Sequence, residues 1–159
     1  MVIVVMGVSG SGKTTVGQAL ARRLDVDYAE ADEFHPPANI EKMSAGTPLT
    51  DDDRWPWLAA IAEWIGDHPQ GGVVTCSALK RKYRDALRRG GDVFFVHLDG
   101  SKELIASRLA ERKGHFMPPA LLDSQFADLE PLGQDEHGAA ISIDATEDEL
   151  TEAAIRATR

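Results

Sequence analysis

The chain has 159 residues, one cysteine and a formal net charge of −9, with 17 Lys and Arg against 26 Asp and Glu. That length fits a single domain over 1–159, with room for a sheet covered on both faces. The acidic balance argues against a broad nucleic-acid or membrane surface, which needs the opposite sign. Cys76 alone allows no intrachain disulfide and points to a reducing, cytoplasmic setting. No basic, signal-like segment precedes the first apolar run, and no stretch approaches the length of a transmembrane helix.

Residues 2–6 (Val-Ile-Val-Val-Met) are an apolar run long enough for one buried parallel strand, and Val16, Ala19, Leu20 and Leu24 recur at helical spacing over 14–24. Between them stands Gly7-Val8-Ser9-Gly10-Ser11-Gly12-Lys13-Thr14, the phosphate-binding pattern G-x-x-x-x-G-K-[ST] in the strand–loop–helix context it needs. Glycines let the backbone curl around an anion so that successive N–H groups point inward, and the helix N-terminus adds partial positive charge. Residues Gly7 to Thr14, with Thr15, are therefore the expected nucleotide-binding set. Lys13 reaches toward the β- and γ-phosphates, and the Thr14 hydroxyl is the expected Mg2+ ligand.

Further strands are expected over 27–30, 72–76, 93–98 and 139–143, and helices over about 54–66, 80–88, 102–112, 119–129 and 147–157. Such alternation implies right-handed crossovers and an α/β fold: a P-loop NTPase three-layer sandwich, its five-stranded parallel sheet carrying helices on both faces. Ligands of such sheets bind outside the carboxyl ends of the strands. There the chain places Glu30 and Asp32, then Ser77 and Lys80, then Asp99, then Asp144. Carboxylates in these positions can position Mg2+ through water or accept a proton from a substrate hydroxyl.

No N-K-x-D tetrapeptide occurs and no D-x-x-G follows an apolar strand, which disfavours a GTPase; the chain is also too short for the added subdomains of ATP-driven motors. A compact P-loop domain with a polar insert after the second strand and an Arg-bearing segment after the fourth is organised like a small-molecule kinase. More specific blocks follow the loop. They are Phe34-His35-Pro36 with Asn39-Ile40-Glu41-Lys42-Met43, Gly46, Pro48-Leu49, Asp51-Asp52-Asp53-Arg54 and Pro56-Trp57-Leu58; then Cys76-Ser77-Ala78-Leu79-Lys80-Arg81 with Tyr83-Arg84-Asp85; then Arg108 and Arg112 leading into His115-Phe116-Met117-Pro118, Leu121-Leu122, Ser124-Gln125-Phe126 and Leu129-Glu130. With these blocks, which span residues 7 to about 131, the chain resembles the gluconokinases. The resemblance implies ATP and Mg2+ as cofactors, phosphoryl transfer to the 6-hydroxyl of D-gluconate, an acceptor-binding insert over about 34–57, a lid over about 113–124 and a homodimer. Where that family often reads Asp-Gly-Asp at the end of the second strand, this chain has Glu30-Ala31-Asp32.

Roles follow in that light. Asp32 is expected to orient or accept the proton of the attacking hydroxyl, and Glu30 to order a water on Mg2+, an edge-strand glutamate being an equal reading. His35 reads equally as a sugar-hydroxyl ligand or a structural loop histidine. Asp53 reads as a helix N-cap, and Arg54 as the planar fork for the substrate carboxylate. Six of the basic residues fall between Lys80 and Arg89, where Lys80, Arg84 and Arg88 share a helix face. Lys80 and Arg84 are expected to add positive potential for an anionic acceptor, and Ser77 to donate to it or cap the following helix. Arg108 is assigned to the nucleotide and Arg112 to the charge of the transferring phosphoryl. The alternatives are a P-loop kinase for another hydroxy acid such as shikimate, or a nucleotide-binding module without catalysis.

Overall fold

The computed structural model describes residues 1–111 and 119–159. Its five strands, β1 (Val2–Met6), β2 (Tyr28–Glu30), β3 (Gly72–Thr75), β4 (Val93–Asp99) and β5 (Gly138–Ser142), form one parallel sheet in the order β2-β3-β1-β4-β5. The helices are α1 (Lys13–Leu24), α2 (Pro37–Ser44), α3 (Asp51–Gly66), α4 (Arg81–Arg88), α5 (Lys102–Glu111), α6 (Pro119–Asp128) and α7 (Glu147–Thr158).

Both faces of the sheet are buried, and the strand pleat divides the core between them. Ile3 and Val5 of β1 point to one side, into a cluster with Leu20 of α1, Ile105 of α5 and Leu150 of α7. Val2, Val4 and Met6 point to the other, among Leu58 and Ile61 of α3 and Leu87 of α4. Burial on both faces explains why β1 reads as an unbroken apolar run and not as an alternating one.

The insert after β2 is more regular than its polarity suggests. A 3-10 turn over Ala31–Phe34 leads into α2, which starts with Pro37 at its first turn, where proline's missing N–H costs nothing. Eight residues with Ile40 and Met43 exposed carry no apolar period for a sequence reading to find. Tertiary contact supplies the reason for the helix: Asn39 is buried, its Nδ2 donating to the Asp53 carbonyl at 2.9 Å and meeting His35 Nδ1 at 3.3 Å. The expected N-cap of α3 is also displaced. Thr50 holds that position, with its hydroxyl accepting from the Asp53 N–H while the Asp53 carboxylate accepts from the Thr50 N–H, a reciprocal capping box.

Arg84 corrects the sequence reading most sharply. Among the described residues it is the largest fully buried side chain, and its guanidinium faces the protein instead of an acceptor. Nε and Nη2 donate to Glu136 at 2.7 and 3.0 Å, and Nη1 donates to the Ala78 and Leu79 carbonyls. Arg88 adds a second cation to the same carboxylate. Burial by itself raises the Glu136 pKa, but hydrogen bonds from Arg84, the Gly133 N–H and Arg88 hold it down at about 2. The pair thus ties α4 and the end of β3 to the segment entering β5. Replacing Arg84 with Met leaves a buried carboxylate short of its main partner and is expected to cost about 3 kcal/mol in urea unfolding. Arg84→Met combined with Glu136→Leu should lose much less, and in a folded variant the acceptor KM should stay near wild type.

Candidate active site

A cleft of about 380 Å³ opens at the carboxyl ends of β1, β2 and β3, lined among others by Ser9, Gly10, Lys13, Thr14, Glu30, Asp32, Thr75, Ser77 and Gln125. One wall is the loop between β1 and α1. Its turns need glycine: Gly10 and Gly12 sit at φ 85° and 95°, in the left-handed region that side chains rarely adopt. At Gly7 the reason is steric, because a Cβ would lie 2.7 Å from Ser11 Oγ and 3.0 Å from the Leu98 carbonyl oxygen.

The N-terminus of α1 stands apart from those of α3 and α7. The latter two begin with Thr50 and Thr146 capping boxes and three acidic residues each in the first turn. Helix α1 is capped by Gly12, with no side-chain cap and no acid in its first turn. The amides of Lys13, Thr14 and Thr15 therefore have neither an intrahelical acceptor nor a capping side chain. A Cβ on Gly12 would meet no atom within 4 Å, so the space before these donors is open. Free amides, a dipole end and an open cradle fit a triphosphate.

Lys13 lies in this loop with Nζ donating to the Gly7 and Val8 carbonyls at 2.8 and 3.1 Å. Burial lowers its pKa to about 8, opposed in part by Cys76 and Asp32. Cys76 itself, buried beneath, is pushed up to about 11 by loss of solvent. Thr14 and Glu30 share the cleft with Asp32, so the oxygen donors expected around Mg2+ converge. Among the described residues no group of three His, Cys, Asp or Glu is arranged to hold a metal. Mg2+ on a phosphate needs none, since it keeps several waters and takes one or two protein ligands.

The acceptor-side residues divide. Asp32 and Ser77 line the cleft. His35 stacks on Trp57 with ring centroids 4.3 Å apart, while Trp57 Nε1 donates to the Ala31 carbonyl at 2.7 Å. Burial depresses the His35 pKa; Asp32 works against this and Arg54 adds to it, so both charged groups stand within electrostatic reach of the ring. Arg54 lies 3.6 Å from Asp51 and 5.5 Å from the centroid of the Tyr83 ring, and Lys80 Nζ lies 3.9 Å from Asp128. Neither cation lines the cleft: Arg54 is in the insert, and Lys80 stands at the start of α4 beside α6. Arg108 donates to the Ile143 carbonyl at 2.6 Å. Arg112 and residues 113–118 of the expected lid lie outside the described residues.

Among the residues that carried no role in the sequence, Gln125 and Tyr28 hold parts of the site in place. Gln125 of α6 grips the loop at Ser9, its Oε1 accepting from the Ser9 N–H at 2.8 Å and its Nε2 donating to Ser9 Oγ at 3.1 Å. It stood in a recognised block, but nothing local links a residue 116 positions away to the loop. Tyr28 donates to Glu30 Oε1 at 2.8 Å, and burial, then Glu30, raises its pKa. The spacing i, i+2 on a strand was the available signal.

A phosphate loop with its lysine and threonine, facing a carboxylate and a hydroxyl across one cleft, defines a P-loop kinase of small molecules. The family model for shikimate kinase matches residues 9–142. A gluconokinase of Gluconobacter oxydans (strain 621H) is 52% identical over 159 residues, covering 97% of this chain and 89% of that protein. Among solved structures, a gluconokinase from Sinorhizobium meliloti 1021 has a TM-score of 0.90 at 48% identity, covering 98% of this chain and 89% of the other. A sugar kinase from Janibacter sp. HTCC2649 has a TM-score of 0.91 at 49% identity over 99% and 93% of the two chains. The chain belongs to the gluconokinase family of P-loop kinases.

The depressed Lys13 pKa sets a pH dependence. Phosphate binding requires the ammonium form, so nucleotide affinity should hold below pH 8 and fall about tenfold per pH unit above it. Calorimetry in buffers of different ionisation enthalpy should detect proton uptake on binding near pH 8 to 9, and Lys13→Arg, which does not titrate there, should abolish the uptake.

Proposed function

We propose that this chain transfers the γ-phosphoryl group of ATP to the 6-hydroxyl of D-gluconate, releasing 6-phosphogluconate and ADP. One observation carries the reading: the phosphate-binding loop and the acceptor-side groups Asp32 and Ser77 line the same cleft. A nucleotide-binding module without catalysis has no use for that second wall. The gluconokinase relatives favour gluconate over shikimate as the acceptor.

The loop amides and the Lys13 ammonium hold the phosphates and neutralise charge that grows on the transferring group. Thr14 would offer its hydroxyl to Mg2+ and Glu30 an acceptor for one of its waters; the cation, when bound, neutralises the β- and γ-phosphate oxygens. Asp32 orients the 6-hydroxyl and takes its proton as the new oxygen–phosphorus bond forms and the bond to the ADP oxygen breaks. Arg112, outside the described residues, is the proposed cation on the transferring phosphoryl, and Arg108 its neighbour on the nucleotide. Arg54 of the 34–57 insert and Lys80 at the start of α4 are the proposed partners of the gluconate carboxylate, with His35 and Ser77 on its hydroxyls. Burial holds the His35 pKa below its ordinary value, which favours a hydrogen-bonding role over a charged one. Closure of a lid over 113–124 keeps water from competing as acceptor. A homodimer and a cytoplasmic setting complete the proposal; among the described residues no helix is long and apolar enough to cross a membrane.

ADP release measured across gluconate, shikimate and related sugar acids tests the assignment. Turnover is expected with gluconate, and turnover of another acid with none of gluconate would overturn it. Asp32→Asn should lower kcat by about 10²- to 10⁴-fold with nucleotide affinity unchanged.

A further inference from the structure

The Thr14–Glu30 corner of the cleft is supported from behind by a residue with no part in the reaction. Tyr28 and Glu30 lie two apart on β2, so their side chains share a face, and the phenol hydroxyl donates to Glu30 Oε1 at 2.8 Å. Glu30 pairs in register with Thr75 of β3, which also lines the cleft. The phenol therefore holds the strand-end carboxylate that shares the cleft with the loop threonine.

Helix α1 is shaped to admit the ring. Gly17, one turn beyond Thr14, is buried, and a Cβ there would lie 2.9 Å from Tyr28 Cε1 and 2.9 Å from Thr75 Cγ2. Any larger residue on this face of α1 would drive the ring and Thr75 away from the helix. The glycine brings α1 against β2 and β3 closely enough for the Tyr28 ring to pack on the helix while its hydroxyl holds Glu30.

We propose that Tyr28 is a positioning residue for the cation side of the site, holding one Glu30 oxygen so that the other is presented to water on the Mg2+ bound at Thr14. A glutamate at a strand end has three free torsions, and a carboxylate that orders metal-bound water acts only when its direction is set. The single hydrogen bond at Oε1 sets that direction and leaves Oε2 unclaimed by the phenol. The inference rests on the kinase reading above.

The test is calorimetric titration of the full chain with a non-hydrolysable ATP analogue, once with Mg2+ and once with EDTA, and no acceptor present. Tyr28→Phe keeps the ring in its slot and removes only the hydroxyl. Its affinity for the metal-bound analogue should fall about tenfold, while affinity for the metal-free analogue stays at the wild-type value. Glu30→Gln should show the same split, and the double variant should lose no more than either single one. In a kinase assay the half-saturating Mg2+ concentration of Tyr28→Phe should rise by a similar factor. An unchanged affinity for the metal-bound analogue, equal losses with and without metal, or additive losses in the double variant would overturn the proposal and leave the kinase reading standing. A wild-type protein that binds the analogue equally well with and without Mg2+ would overturn both.

Discussion

The central position of β1 governs the rest of the structure. It is hydrogen-bonded to β3 on one side and β4 on the other, and its five residues are buried on both faces. A strand so held has no freedom to shift register, since a slip of one residue would turn every side chain to the wrong layer. The loop that leaves its carboxyl end is correspondingly fixed, and α1 begins at a set distance from β2 and β3. Each proposed element of the chemistry is measured from that point. The loop follows β1, Glu30 ends β2 with Asp32 just beyond it, and Ser77 follows β3.

An acidic chain that handles anions must concentrate its positive potential locally, and much of that potential comes from backbone. The acids of α3 and α7 satisfy the termini of their own helices, where they interact favourably with the dipole. Helix α1 forgoes this and leaves its first amides available. Lys13, partly withdrawn from solvent in the same loop, holds its proton less firmly than a surface lysine. Loop and lysine are both arranged at some cost to the free protein, and a bound phosphate offsets it.

The basic segment after β3 shows how burial divides residues that look alike in sequence. Lys80, Arg84 and Arg88 recur at helical spacing, yet Lys80 is the extended residue just before α4, near Asp128, while Arg84 is enclosed with Glu136. Glu136 lies 52 residues beyond Arg84, and only the return of the chain into β5 brings the two together. The insert makes the same point. Three consecutive aspartates suggest a cap, but which residue caps depends on where the chain turns, and Thr50 takes that position with Asp53 as its reciprocal partner.

What the sequence by itself determined is what short-range order encodes. Apolar runs of five or so residues between helical periods imply a parallel sheet, and a glycine loop between the first strand and first helix implies a phosphate site; both are local patterns. Strand order, the helix at Pro37–Ser44 and the fate of each cation were decided by tertiary structure. The reason is that these depend on partners far away in the chain. Gln125 reaches Ser9 across 116 residues, and Arg84 is neutralised from beyond β4. Even Tyr28 and Glu30, neighbours on one strand, acquire their setting from Gly17 of α1, whose missing side chain makes the space the phenol occupies.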